Sequence, residues 1–544
     1  MTKRDLAIIA AVVLAGASAV FAAEKPAIVP RPAQMQVLDG SFKVTAATPV
    51  LYTDKQAMAT AEYLATVLAP ATGFKLAASQ ATASSQNSIL LTTANADRSL
   101  GEEGYELDVS ANGIVVKAPS AAGLFYGCQT LRQLLPPAIL ADTLQSGIEW
   151  NVPAVKIRDM PRYAWRGMML DPARHFLPVA SVKTFIDYMT LHKLNTLHWH
   201  LTDDQGWRIE IREYPALTTL GSVRSESPKR GNRNAGDGQP YGPFFYTEAQ
   251  ILDVVAYAAT RHITIVPEIE MPGHGLAALT AYPDLSCTGG PFKLRTRWGV
   301  EDDVYCAGND KTLEFNKTVL SRVMTLFPGK FIHIGGDECP KVRWNKCPKC
   351  QARIKANGLK DSTGLQSWFV RQIDQFVISK GRRIIGWDEI LEGGLEPSAA
   401  VMGWRGVKGG IEAANAGHDV VMASTSHCYF DYGQSKQPGE QETIGGLLTL
   451  AKAYSFEPTP AALAPEKKKH ILGVQCNLWS EYFFEPKNVE FGAFPRACAL
   501  SEVAWTPAEQ RNFDDFWNRM ATHGKRLDAL QINWRRLTPD QKNP

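Results

Sequence analysis

From Trp165 onward, eight short β-like runs recur along the chain, nearly all separated by helical or loop segments. They are residues 165–170, 196–201, 263–269, 331–334, 383–387, 400–404, 419–423 and 471–478. Most are near-continuous apolar stretches rather than alternating ones, as in parallel strands covered on both faces. Helical stretches at 179–192, 248–261, 312–326 and 364–380 fall between them. Eight β-α units in one region predict an α/β protein with a TIM (β/α)8 barrel rather than a doubly wound sheet.

A barrel places its chemistry where the strands end. The residues there are Asp171 with Arg174, Asp203-Asp204, Glu268, Glu270 and His274, and Asp337-Glu338. Further on come Trp387-Asp388-Glu389, Trp404-Arg405, His427, Tyr429 and Asp431, and Trp479 with Glu481. Polar and aromatic residues gather at these ends while the strand interiors stay apolar.

The rest of the chain divides around this region. Residues 24–158 mix short β-like runs (88–92, 105–109, 113–117) with helical ones (56–68, 120–135), and Pro136-Pro137 stops the last helix. This predicts a small α/β domain ahead of a barrel spanning 160–510, with a closing helix at 513–530 inside a tail of 511–544. Lys3 and Arg4, an apolar run to Phe21 and the small residues around Ala22 read as a cleaved signal peptide, residues 1–22. The mature protein is expected to be exported, periplasmic or secreted, and free of the membrane. With a net charge of +3 over 544 residues, and no long block of like charge, electrostatics gives no reason to expect nucleic acid as a partner.

Nine cysteines in an exported chain leave at least one unpaired within it. Cys287 and Cys306 flank a Gly- and Arg-rich loop that a disulfide could close. Cys339, Cys347 and Cys350 cluster, the last two as C-x-x-C, but a zinc site needs a fourth ligand that is not near at the usual spacing. A local disulfide is favoured over free thiols, and both over metal.

Carboxylates dominate the strand ends, and neither a phosphate-binding loop, a G-x-S-x-G elbow nor an H-E-x-x-H helix accompanies them. His198 and His200 share one strand face, but the fifth and sixth strands end in tryptophan rather than further ligands. Two histidines hydrogen-bonded inside the barrel are therefore favoured over a catalytic metal, and no cofactor is implied. Asp337-Glu338 follow His333-Ile334-Gly335-Gly336, where two glycines allow close backbone approach. An acid beside another carboxylate and shielded from water has its pKa raised, which a glycosidic leaving group requires. Trp387, Trp404 and Trp479 would offer indole faces for a sugar.

The motifs R-G-M-M-L-D-P-A-R-H-F at 166–176, H-W-H-L-T-D-D-Q-G-W-R at 198–208, P-E-I-E-M-P-G-H at 267–274 and H-I-G-G-D-E at 333–338 resemble those of the glycoside hydrolase family 20 β-N-acetylhexosaminidases. W-D-E at 387–389, G-W-R-G at 403–406 and L-W-S-E at 478–481 continue the resemblance across the barrel, and residues 121–135 resemble the family's N-terminal domain. The resemblance implies exo-acting removal of terminal N-acetylhexosamine with retention, the substrate's acetamido group being the nucleophile. It implies Glu338 as general acid and base, and Asp337 as the group that orients the acetamido. Tyr429 would bond the acetamido oxygen, and Trp387, Trp404 and Trp479 would enclose that group. Arg174, Asp431 and Glu481 would hold sugar hydroxyls, with Asp203 and His274 supporting Glu338. The expected partner is an oligosaccharide or glycan ending in N-acetylhexosamine.

Two departures stand out: a cysteine-bearing insertion at 339–359, and a long Gly-, Arg- and Asn-rich loop at 225–245. Two rival readings are a glycosidase with a protein nucleophile drawn from Asp203, Glu268 or Glu270, and an inactive sugar-binding barrel. The presence of Glu338 counts against the second.

Overall fold

A computed structural model describes residues 25–543; the expected signal peptide lies outside the described residues. Trp165–Leu170, Thr196–His200, Thr264–Glu268, Phe331–His333, Arg383–Trp387, Ala400–Gly403, Val420–Met422 and Ile471–Leu478 close into one barrel, every neighbouring pair parallel. The TIM barrel is therefore as the apolar runs predict. The strands are buried almost throughout, which is why they read as apolar runs without alternation.

Helices Val179–Leu191, Glu248–Ala259, Asp310–Leu326 and Ser362–Ser379 follow the first four strands. The last three start on side chains that satisfy otherwise orphaned N–H groups: the Thr247–Gln250 capping box, Asn309 and Asp361. The fifth unit departs from the expected pattern. Residues 388–399 form only a short 3-10 turn, Asp388–Leu391, before the chain re-enters the barrel. Gly393, Gly394 and Pro397 crowd this short connection and disfavour a helix.

Before the barrel stands a seven-stranded mixed sheet in the spatial order Gln34–Lys43, Asn151–Asp159, Tyr105–Ser110, Gly113–Lys117, Ser88–Thr92, Val50–Tyr52, Ala78–Gln80. Helices Lys55–Thr72 and Ala121–Leu134 pack with it in a core of its own. This unit is bolted to the barrel by buried polar contacts. Asp159 accepts from Trp505 Nε1 at 2.9 Å, from Lys193 Nζ at 3.0 Å and from Tyr105 OH at 2.6 Å. Fully buried Arg166, in the first barrel strand, pairs with Glu103 at 2.7 Å. The helix Phe513–Ala529 closes the assembly, with Arg519 on Glu502 at 2.7 Å.

The cysteines correct the expected disulfide. Cys287 and Cys306 do not close their loop as an isolated pair, and none of the nine cysteines is joined to another by a disulfide. The sulfurs of Cys287 and Cys306 instead meet those of Cys347 and Cys350.

Candidate active site

The C-terminal strand ends converge on a cavity of about 210 Å³, below the roughly 300 Å³ at which pockets for drug-sized ligands begin. It fits one sugar ring better than an extended chain. Arg174, His274, Asp337, Glu338, Trp387, Trp404, Tyr429, Asp431, Trp479 and Glu481 all line it. Of the expected site residues, only Asp203 lies behind the lining. A larger groove across the seven-stranded sheet, at Gln36, Asp108, Lys117 and Lys156, brings together no comparable set of groups.

The aromatic wall is continuous. Trp387 and Trp479 stand 5.7 Å apart by ring centroid, and Trp404 stacks on Tyr429 at 6.2 Å. Two indole N–H groups are spent on the protein: Trp387 donates to Glu268 at 2.9 Å and Trp404 to Glu389 at 2.8 Å. These bonds fix the rings and leave their faces to a ligand.

Beneath the wall lies a locked polar layer. His198 Nε2 sits 2.8 Å from Glu268, and His200 bridges Asp171 and Glu270 at 3.2 Å each. His198 is bonded through Nδ1 to Gln475 at 2.9 Å and His200 to Asp171 and Glu270, so both are bonded inside the barrel, as the sequence favours. Arg174 is held by Asp203 at 2.7 Å, Asp171 at 3.3 Å and Gln205 at 3.1 Å, with its guanidinium 5.0 Å from the Trp479 ring centroid.

His274 joins that layer to the acid pair. Its Nδ1 is 3.3 Å from Asp203 and 3.2 Å from Asp204; its Nε2 is 3.5 Å from Glu338 and 3.7 Å from Asp337. The neighbouring carboxylates raise the imidazole pKa well above its ordinary value despite burial, which favours the cationic form of His274.

That cation corrects the expected titration order. Glu338 is not the raised group. Its side chain is 43% exposed, and the bond to His274 holds its pKa below the ordinary value. Asp337 is raised instead, to about 6, first by burial and then by the carboxylates of Glu268, Glu338 and Asp203, against the pull of His274. Asp431 and Glu481 are also raised, mainly by burial. Of the carboxylates that line the cavity, three oxygens, Asp337 Oδ1, Asp431 Oδ1 and Glu481 Oε2, are buried without a hydrogen-bond partner among the described residues. Such acceptors are costly unless a ligand's N–H or O–H completes them.

Some roles are absent from the sequence reading. Asp204 and Glu389 stand there among the strand-end residues without a role: Asp204 shares His274 with Asp203, and Glu389 anchors Trp404. Thr425, Tyr432 and Ile444 line the cavity from irregular segments that carry no periodic signal. His427 stacks on Phe456 and is not among the cavity-lining residues.

An acid pair, indole walls and unpaired acceptors at a barrel mouth define a glycoside-hydrolase site. Comparison with known proteins agrees. The family described as glycosyl hydrolase family 20, catalytic domain, matches residues 163–508, and its domain 2 matches residues 25–160. A β-hexosaminidase of Porphyromonas gingivalis is 44% identical over 515 residues, 94% of this chain, and this chain spans 65% of that protein's length. The solved family 20 β-N-acetylhexosaminidase of Streptomyces coelicolor A3(2) superposes with a TM-score of 0.82 at 33% identity, covering 94% of this chain and 98% of that one. A mutant β-hexosaminidase of Streptomyces plicatus, solved with its product GlcNAc, gives 0.82 at 33% identity, covering 95% and 97%. The chain belongs to glycosyl hydrolase family 20.

Proposed function

We propose that this enzyme is an exo-acting β-N-acetylhexosaminidase that removes terminal non-reducing N-acetyl-D-hexosamine from glycans with retention. The carrying observation is the buried, unpaired Asp337 Oδ1 inside a one-ring aromatic cavity. It is an acceptor placed for an acetamido N–H. Asp203, Glu268 and Glu270, the candidate protein nucleophiles, do not line that cavity and are engaged by Arg174 and by histidines.

The acetamido carbonyl oxygen attacks C1 as the glycosidic C1–O bond breaks, and Glu338 gives its proton to the leaving oxygen. The cyclised oxazolinium-like intermediate carries positive charge that Asp337 balances. Tyr429 bonds the acetamido oxygen, and Trp387, Trp404 and Trp479 hold that group in line and exclude water. Glu338 then takes a proton from water, which attacks C1 and reopens the ring, so configuration at C1 is retained. Arg174, Asp431 and Glu481 hold the hydroxyls of the sugar, which confines action to a chain end. Asp203 and His274 position Glu338.

The titration of the acid pair suits this sequence of events. The pair keeps one proton up to about pH 6, lodged on Asp337 while no acetamido group faces it. An acetamido N–H donated to Asp337 favours its charged form, so substrate binding draws the pair's proton away from Asp337.

Residues 1–22 read as a cleaved signal, and among the described residues no helix is long and apolar enough to cross a membrane. The signal supports an exported enzyme acting outside the cytoplasm. The division into 24–158, 160–510 and 511–544 belongs to the same reading.

The decisive experiment replaces the substrate's acetyl group by mono-, di- and trifluoroacetyl. Electron withdrawal weakens the acetamido oxygen as a nucleophile, so kcat/KM should fall steeply and monotonically along the series. A flat series, with a 2-fluoro sugar trapped on an Asp or Glu, would establish a protein nucleophile instead.

A further inference from the structure

Four cysteines distant in sequence meet beside the acid-bearing loop. Cys287 and Cys306 come from the loop after the third strand; Cys347 and Cys350 come from the insertion after the fourth. Their four sulfurs all lie within 4.8 Å of one another. The measured edges are 3.7 Å for Cys287–Cys350, 3.8 Å for Cys306–Cys347 and 3.6 Å for Cys306–Cys350. A tetrahedral ion with metal–sulfur bonds of about 2.3 Å gives sulfur–sulfur edges of about 3.8 Å. Disulfide bonding requires about 2.05 Å.

The surroundings suit bound thiolates. Cys306, Cys347 and Cys350 are buried. Cys347 caps the nine-residue helix Pro348–Ala356 and Cys350 lies in its first turn, where the dipole favours negative charge. Gly308 lets the two loops approach closely, since a Cβ there would run into the backbone of Lys349 and Cys350. Arg353, its charge paired with Asp310, donates to Gly308 O at 3.3 Å.

We propose that Cys287, Cys306, Cys347 and Cys350 form a structural zinc site that ties the loop of the third strand to the insertion following Glu338. Four thiol protons leave as one Zn²⁺ binds, giving a closed tetrathiolate site with no position for substrate. Soft thiolates in a tetrahedral array select zinc over hard divalent ions. The metal reinforces contacts between the same two loops: Trp344 Nε1 donates to Tyr305 O at 2.9 Å, and Arg343 pairs with Asp303 at 2.8 Å. Those loops carry His274 and Glu338, so the site is a positioning device for the acid and its imidazolium.

The test uses the full chain purified without chelator. Elemental analysis should find about one zinc per chain, and unreduced peptide mapping should find no disulfide among the four cysteines. Cobalt(II) in place of zinc should give the absorption of a tetrahedral thiolate complex. Cys350→Ser and Cys306→Ser should lose the metal, while Cys339→Ser, outside the cluster, should keep it. Because stoichiometry and cobalt spectrum are read on the wild-type chain, misfolding of a variant does not blunt the test. Disulfides within the cluster, iron in place of zinc, zinc retained by Cys350→Ser, or four free thiols that take up no zinc would each overturn the assignment.

Discussion

On the proposed mechanism, replacing Glu338 by glutamine removes the proton donor and little else. The side chain is half exposed and touches the protein chiefly through His274, 3.5 Å away. Glutamine keeps the shape, so the fold should lose no more than about 0.5 kcal/mol, as for a surface change. The chemical loss should be far larger. General acid catalysis supplies roughly 10²–10⁴-fold, or about 2.7–5.4 kcal/mol of the barrier. His274 cannot stand in, since its carboxylate neighbours raise its pKa and make it a poor donor. An N-acetylglucosamine disaccharide, whose leaving alkoxide needs the proton, should therefore lose roughly 10²–10⁴-fold in kcat/KM. A dinitrophenyl glycoside, whose leaving group needs none, should stay within about tenfold in kcat/KM. Its kcat should still fall, because Glu338 is also the base for water, and KM should fall with it. Steady-state kinetics on both substrates, with a thermal melt as control, make the comparison. Equal losses in kcat/KM on the two substrates would refute the assignment of Glu338 as the acid.

Asp337 sets the upper limb of the pH profile. A raised carboxyl pKa means the pair keeps its proton up to about pH 6 and loses it above. For a disaccharide, kcat/KM should drop about tenfold per unit on the alkaline side, and a profile flat between about pH 5 and 8 would contradict this. Arg174→Ala should cost stability as well as binding, because buried Asp171 and Asp203 lose their counter-charge. About 3–5 kcal/mol is expected from stranding them, read as a lowered melting temperature, and an unchanged melt would refute the structural role. Arg174→Lys should restore the melt but not kcat/KM, since one ammonium cannot reproduce the planar fork.

What the sequence reveals follows from what each segment faces. The barrel strands are legible because both their faces are buried, as in Met168, Met169 and Leu170. The long outer strands Gln34–Lys43 and Asn151–Asp159 escape notice for the opposite reason. They are partly exposed, and the register between them shifts between Val37 and Ser41, around Gly40. Tryptophans and carboxylates at strand ends stand out against apolar runs, so most of the cavity is readable. The titration order is not, because it depends on the reach of His274 from one strand end to the next. The cysteine cluster is hidden too: each loop supplies only two sulfurs, and C-x-x-C alone does not name its partners.

The turn after the fourth strand explains why two neighbouring residues can share one site. Consecutive side chains on a strand point to opposite faces, yet Asp337 and Glu338 both line the same cavity. The chain achieves this by leaving the strand at His333 and passing through left-handed backbone at Gly335 (φ 68°), Gly336 (φ 92°) and Glu338 (φ 44°). Glycine is required at the first two on a second ground. A Cβ on Gly335 would strike the Glu270 carboxylate, and one on Gly336 would strike Ile390. Glu338 has no such freedom and bears a strain of about 1–3 kcal/mol, as does His274 at φ 47°. The two strained residues touch each other, so each loop holds the other's side chain in place. A glycosidase with a protein nucleophile must set two carboxylates about 5–5.5 Å apart across the sugar, which calls for separate elements. On the proposed mechanism the substrate brings its own nucleophile, which relaxes that demand, and one strained turn suffices for acid and orienter together.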